Sequence, residues 1–457
     1  MALHRKAEAD DDLLLSPIFA VAGTHPVPKH RLPDAMLDPD AAYQLVHDEL
    51  MLDGNARMNL ATFVTTWMED QARRLLLECA DKNMIDKDEY PQTAELERRC
   101  VSILSSLWHA NDSADAVGCS TTGSSEACML GGLALERRWR ARAGDDAARP
   151  NLVMGINVQV CWEKFCNYFD VEARQVPMEG DRYNLDPEQA AALCDENTIG
   201  VVAILGSTFD GSYERVAELS AALDDLQERK GLDIPIHVDG ASGAFIAPFL
   251  DPELVWDFRL RRVASINASG HKYGLVYPGV GWAVWRDRAA LPDDLVFHVN
   301  YLGGDMPTFA LNFSRPGAQV AMQYYTFLRL GVEGFRRVQQ ECRDVAMRLA
   351  KRIADMGPFE LLTDGSELPV FAFKLRDEVT NYSVFDVSTR LRERGWTVPA
   401  YTFPKNREDL SVLRVVVRNG FGHDLADIFA ADLERMIHVL ERQAEPLVGE
   451  RATGFHH

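Results

Sequence analysis

From about residue 58 onward two patterns alternate along the chain, and this alternation limits its fold more than any other feature. Amphipathic stretches such as "ELERRCVSILSSLWHA" (95–110) and "YERVAELSAALDDLQERKG" (213–231) repeat apolar residues every three or four positions and predict helices. Between such stretches lie short apolar runs, "NLVMG" (151–155), "IGVVAILG" (199–206), "IPIHVDGA" (234–241) and "GWAVWR" (281–286), which predict buried strands. Strands that alternate with helices pair in parallel and bury both sheet faces, so the pattern predicts an α/β fold with a mostly parallel sheet.

A helical segment from Gly317 to Gly357 follows. Beyond it, strand-like "LPVFAFKLR" and "LSVLRVVVRN" and helix-like "VSTRLRERG" and "DLADIFAADLERMIHVLERQ" predict a small α+β domain. The expected organisation is an N-terminal arm over 1–57, a large domain over 58–335, a small C-terminal domain over 336–446 and a tail over 447–457. The arm, with its "DDDLLL" start, reads either as disordered or as a helix that forms when its carboxylates lose charge in acid.

Charge narrows the function. Forty-eight basic against 69 acidic residues leave a net −21, with no Lys/Arg run able to track a phosphate backbone, so no nucleic-acid partner is expected. An anionic ligand would have to be caught by local donors in a pocket. The eight cysteines form no CxxC pair and read as reduced core residues. No apolar run reaches the roughly 18–20 residues of a membrane span, and the start lacks a signal-type apolar region; a cytoplasmic location without membrane insertion is expected.

The chemistry gathers in three places. "SINASGHKYG" (265–274) puts Lys272 after an apolar run ending in small residues, where a buried ammonium needs a partner or must lose its proton. "IPIHVDGASGA" ends a strand at Asp239, and ligands of open α/β sheets collect outside the carboxyl ends of strands. "GCSTTGSSEACMLGG" runs strand, Gly/Ser turn, helix, so that Ser124, Ser125 and the first helical amides face whatever sits at that helix start, a position suited to phosphate. Singly, these are a snorkelling lysine, a turn aspartate and a capping box. In this order they meet the needs of pyridoxal phosphate: a lysine for the imine, a carboxylate for the ring nitrogen and a phosphate cradle. No metal site is read from the sequence.

Seven segments, "NLATF" (59–63), "NMIDKDEYPQT" (83–93), "GCSTTGSSEACMLGG" (118–132), "NVQVCWEKF" (157–165), "HVDGASGAF" (237–245), "SGHKYG" (269–274) and "FSRPG" (313–317), resemble the glutamate decarboxylases. These are pyridoxal phosphate enzymes of fold type I, and the resemblance covers roughly residues 15–440. It implies a large transferase-like domain with a mostly parallel sheet and a small C-terminal α+β domain. It also implies the conversion of L-glutamate to 4-aminobutanoate and carbon dioxide, with uptake of a proton.

Carried onto matching positions, the resemblance makes Lys272 the Schiff-base lysine, Asp239 the partner of the pyridinium nitrogen, Gln159 the residue stacked on the ring and Ala241 the residue on its other face. Ser124, Ser125, Thr208, Ser269 and His271 would hold phosphate and ring substituents, and Ser314 would reach the phosphate of a neighbouring subunit. Thr62, Phe63, Asn83 and Asp86 would form the pocket for the distal carboxylate, partly across a dimer interface, so a homodimer is the minimum assembly and a hexamer is an option. Two readings stand for Arg414, a carboxylate clamp or a surface strand charge.

An Asp86 facing a carboxylate implies a shared proton and an acidic optimum, below about pH 6. His456, next to last in "GFHH", is either a plug over the site near neutral pH, as in some bacterial members, or part of a frayed or tag-derived end. No basic, Trp-bearing tail of the calmodulin-target kind is present, so that regulation is not expected. The competing readings are a decarboxylase for another amino acid and a catalytically silent assembly member.

Overall fold

A computed structural model describes residues 29–447 apart from 35, 112, 114, 145–148 and 300–305. The chain divides into two units, Met1–Asn55 and Ala56–His457. In the described part of the first, helix α1 (Pro39–Leu50) starts at Asp38, whose carboxylate caps the amides of Asp40 and Ala41, and it buries none of its residues.

The second unit opens with α2 (Asp70–Glu78) and α3 (Pro91–Leu107), then β1 (Val117–Thr121) and α4 (Ser124–Ala143). It continues through β2 (Asn151–Gly155), α5 (Val160–Tyr168), β3 (Glu172–Val176), α6 (Pro187–Ala192), β4 (Thr198–Ile204), α7 (Val216–Lys230) and β5 (Ile236–Asp239). Next come a short α8 (Ala247–Leu250), β6 (Val263–Ala268), β7 (Gly281–Trp285) and a hairpin of β8 (Phe297–Val299) and β9 (Met306–Thr308). Seven strands form one sheet in the order β1-β7-β6-β5-β4-β2-β3, in which β7 runs against both its neighbours and the remaining pairs are parallel. Every residue of β2, β4, β5, β6 and β7 is buried, as a sheet covered by helices on both faces requires.

The predicted alternation is therefore observed. Strand β2 coincides with "NLVMG", and β7 covers all but the last residue of "GWAVWR". Helix α4 lies close on the sheet because position 131 is glycine: a Cβ there would stand 2.4 Å from the ring of His237 in β5.

The long helix expected between Gly317 and Gly357 is α9 (Ala318–Ala354), broken at Gly331, whose φ of 56° no helix accommodates. Its residues up to Phe335 enter the core of the large sheet, and those from Cys342 enter a second core. That second core is completed by β10 (Phe359–Leu361), β11 (Val370–Leu375), α10 (Val384–Glu393), β12 (Ala400–Thr402), β13 (Ser411–Val416) and α11 (His423–Leu440). The strands pair antiparallel in the order β10-β11-β13-β12, the small α+β layer that the sequence predicts. No helix among the described residues is long and apolar enough to cross a membrane. All eight cysteines are free, and all but Cys79 are buried, as core residues.

Candidate active site

The carboxyl ends of β1, β4, β5 and β6 and the loop after β2 meet around one cavity of about 360 Å³. Its lining includes Ser124, Ser125, Gln159, Thr208, Asp239, Ala241, Ser269, His271 and Lys272, nine residues drawn from segments up to 148 positions apart in the chain. The sheet brings them together, because each lies at or just beyond a strand end.

Lys272 answers the question that its sequence context raises. Its side chain lines the cavity, no carboxylate among the described residues pairs with it, and its Nζ lies 3.5 Å from Ser242 Oγ. Burial pulls its pKa down from the usual lysine range, against the opposing pull of Asp239. An amine so placed gives up its proton readily and is a nucleophile toward a carbonyl.

Asp239 is held from every side. Oδ1 accepts from the Ala241 amide at 3.1 Å and Asn267 Nδ2 at 3.0 Å, and Oδ2 accepts from Trp162 Nε1 at 2.9 Å and the Cys128 thiol at 3.6 Å. Behind it, His237 bridges Ser265 Oγ at 2.7 Å and Asn267 Oδ1 at 2.8 Å. Because Asn267 spends its amide hydrogens on Asp239 and Ser124, its oxygen must accept, so His237 carries its proton on Nε2. Burial pulls the His237 pKa below the usual histidine value.

The phosphate end is equally defined. Helix α4 begins after Gly123 with no side chain capping its first amides, and Ser124 Oγ lies 2.7 Å from Ser269 Oγ. His271 packs against Gly123, where a Cβ would come within 2.9 Å of Cε1. Its Nδ1 accepts from the amides of Gly279 and Val280, and burial together with the neighbouring Lys272 pushes its pKa down to about 4. The site thus offers a reactive lysine, a carboxylate and an uncapped helix start with hydroxyls, an arrangement that fits pyridoxal phosphate.

The remaining predicted residues divide. Segment 59–65 lies against Lys272: the Thr65 amide donates to His271 O at 2.7 Å, Thr65 Oγ1 donates to Lys272 O at 2.6 Å, and the Phe63 ring is 5.2 Å from Lys272 Nζ. Thr62 Oγ1 accepts from the Val64 amide at 3.1 Å. Arg414, in β13, is buried rather than on the surface. It donates to the Thr208 carbonyl and, at 2.7 Å, to Ala61 O, and its guanidinium lies 4.9 Å from the centre of the Phe63 ring. Its Nε is buried without a partner.

Thr62, Phe63 and Arg414 lie behind the Lys272 and Thr208 loops rather than in the cavity lining, and Asn83, Asp86 and Ser314 do not line the cavity of their own chain either. Asn83 Oδ1 accepts from the Arg315 amide at 3.1 Å, its Nδ2 is 3.4 Å from Ser314 Oγ, and the Asp86 amide donates to Asn83 O at 3.2 Å. His456 and the "DDDLLL" start lie outside the described residues.

Sequence reasoning missed Asn267, Trp162 and Cys128 as partners of Asp239, and Thr65 and Ser242 as partners of the Lys272 loop. Asn267 had a signal: in "SINASG" it stands two positions before Ser269 and, with Ser265, shares one face of the strand.

Comparison with known proteins bears on the chain as a whole. A family model described as the pyridoxal-dependent decarboxylase conserved domain matches residues 28–376. A glutamate decarboxylase of Aliivibrio fischeri is 52% identical to the chain, with 100% of both covered. One of Solanum lycopersicum is 49% identical over 94% of this chain and 89% of its own. The solved glutamate decarboxylase of Lactobacillus brevis superposes with a TM-score of 0.90 at 47% identity, covering 93% of this chain and 98% of that one. A sphingosine-1-phosphate lyase of Burkholderia pseudomallei, 21% identical with a TM-score of 0.76 over 90% of this chain and 93% of that one, shares the fold.

Proposed function

The chain belongs to the pyridoxal-dependent decarboxylase family, and on that premise we propose that it removes the α-carboxylate of L-glutamate to give 4-aminobutanoate and carbon dioxide. The observation that carries this reading is the full-length identity of 52% to a glutamate decarboxylase, together with a cavity that unites a lysine, a carboxylate and an uncapped helix start.

In this reading Lys272 Nζ anchors the cofactor, and Ser124, Ser125, Ser269, Thr208 and the first amides of α4 hold its phosphate. Gln159 and Ala241 bound its two faces. Bound pyridoxal phosphate supplies a ring that takes up the electron pair left at Cα when carbon dioxide departs. Asp239 would keep a proton at the ring nitrogen, and four donors fix the position of its two oxygens for that role. His271 contributes a ring that is mostly neutral above about pH 4, where its pKa is held. Lys272, poised to carry or release a proton, returns one to Cα, and each turnover consumes one proton from solvent.

For the substrate's distal carboxylate we assign Thr62 and Phe63 from the same chain and Asn83 and Asp86 from a second copy, with Ser314 of that copy reaching the phosphate. Asn83 and Ser314 form one cluster outside the lining of their own cavity, and that cluster adjoins Phe313, 44% exposed, which a second copy would cover. Arg414 acts in this scheme by fixing Phe63 and the Ala61 carbonyl. Asp86 opposite a carboxylate favours a shared proton, hence an optimum below about pH 6. His456 is assigned as a plug near neutral pH, and removal of residues 448–457 would then raise activity at neutrality.

The test is carbon dioxide release from L-glutamate, L-aspartate and L-tyrosine by the purified protein with pyridoxal phosphate at about pH 4.6 and about pH 7.5. Release from glutamate alone, stronger in acid, is expected. Turnover of another amino acid with silence on glutamate would overturn the substrate assignment.

A further inference from the structure

The floor of the cavity carries two thiols for which the proposed reaction has no use. Cys128 of α4 and Cys161 of α5 are buried free cysteines, and both line the cavity beside Asp239. Cys128 Sγ lies 3.6 Å from Asp239 Oδ2, and the two sulfurs and one carboxylate oxygen all fall within 4.8 Å of one another. Among the described residues this is the one group of three His, Cys, Asp or Glu side chains near enough to share an ion.

The spacing matches a particular chemistry. Zinc bonds to thiolate at about 2.3 Å and to carboxylate at about 2.0 Å, so in tetrahedral geometry a sulfur and an oxygen ligand stand about 3.5 Å apart. We propose that, before the cofactor is in place, Cys128, Cys161 and Asp239 bind one thiophilic divalent cation of the zinc class, and that this cation and the cofactor exclude each other.

Binding balances without any redox partner. The ion forms two metal–sulfur bonds and one metal–oxygen bond, each thiol gives its proton to solvent, and the resulting centre of net charge −1 shares its cavity with Lys272, which can take up a proton as counter-charge. Asp239 can accept the ion because the Cys128 S–H that now occupies Oδ2 becomes a thiolate and leaves that lone pair, while Trp162 Nε1 keeps its bond to the same oxygen. The fourth tetrahedral position opens onto the cavity, where water can fill it. Exclusion follows because one carboxylate cannot serve both the metal and the pyridine nitrogen. Two sulfur ligands select zinc over magnesium or calcium, which prefer oxygen.

The experiment uses the full-length protein stripped of cofactor under reducing conditions, given one equivalent of zinc(II), desalted and assayed for metal. Zinc bound at about one per chain, two protons released per ion and uptake of pyridoxal phosphate slowed at least about ten-fold, read from the growth of its lysine-bound absorbance, are the expected results. Cobalt(II) in place of zinc should give a thiolate-to-metal charge-transfer band. Cys128→Ser and Cys161→Ser should each abolish the slowing, every variant being compared with its own metal-free uptake rate. Equal zinc retention by both variants, or unchanged uptake by the zinc-loaded protein, would overturn the proposal. Should a variant not fold, absence of the cobalt charge-transfer band in the unaltered protein overturns it alone.

Discussion

The wall of the cavity built from strand ends and the loops assigned to the substrate are made in different ways. Asp239 ends β5, and Ser269 and Thr208 follow β6 and β4; the ladders fix each of these strands on two sides, and a single chain completes the wall. Segments 59–65 and 83–86 are irregular and are tied in different directions. The first is strapped between the Lys272 loop and β13, through Thr65, Arg414 and the Val416 amide bonded to Leu60 O at 2.9 Å; the second is bonded to residues 314–317. The contrast teaches that one chain gathers most of the residues proposed to hold the cofactor around a single cavity, whereas Asn83 and Asp86, proposed for the substrate's distal carboxylate, stay outside the cavity of their own chain.

The harshest test of the first half is Lys272→Ala. Loss of both the anchor and a proton-transfer group should cost at least about 10⁴-fold in kcat, at the upper end of what acid–base groups supply, and the absorbance of lysine-bound cofactor should vanish. Retention of that absorbance would mean that another amine anchors the cofactor. Asp239→Asn comes next. The amide cannot hold the ring proton and turns a donor toward Trp162 Nε1 or Asn267 Nδ2, so a loss of at least about 10²-fold is expected, with weaker cofactor binding. A variant within a few-fold of the parent would remove Asp239 from the mechanism.

The second half is tested by mixing chains. Lys272→Ala and Asn83→Ala proteins, each inactive alone, are dissociated together and reassembled. If sites are shared in a two-fold dimer, half the dimers are mixed and each mixed dimer has one intact site, so activity should return to about a quarter of the parent's. No return on mixing would confine each site to one chain and break the comparison.

How much of this was legible in the sequence follows the same line. Four of the nine cavity residues, Ser124, Ser125, Asp239 and Lys272, were readable because apolar runs announce strands and chemistry sits at strand ends; Gln159, Thr208, Ala241, Ser269 and His271 came only through the family resemblance. Asp239 and Lys272 stood out as charges next to runs too apolar to hold them idly. What surrounds Asp239 was not readable: Trp162 and Cys128 come from two helices, α5 and α4, whose packing depends on Gly131, and no local pattern encodes that approach. Arg414 could not be resolved between clamp and surface charge because alternation along β13 gives a face, not what covers it; the cover is residues 61–63, some 350 positions away. The break at Gly331 was hidden because glycine is tolerated inside a helical pattern and only the tertiary context decides.

The smallest effect concerns how the single-chain wall carries its charge into acid. His271 is held at a pKa of about 4 in the folded chain against about 6.5 unfolded, so between those values the unfolded chain binds more protons and folding loses stability as pH falls. Glu214, buried beneath the wall and accepting from the amides of Ile204 and Leu185 and from Asn157 Nδ2, is pushed up to about 7 by burial. Its sign is opposite: the folded chain holds the extra proton, so its contribution is full below the unfolded value of about 4.3 and is lost as pH rises through 7. The two slopes oppose each other between about pH 4.5 and 6.5, which keeps the wall stable where the proposed reaction is fastest. Glu214→Gln removes one of them. Its melting temperature should fall more steeply than the parent's on going from about pH 7.5 to 4.5, with cofactor absorbance little changed at neutrality. Parallel pH–stability curves for parent and variant would show that Glu214 stays ionised in the fold, held by its three donors, and that the wall meets acid with no such compensation.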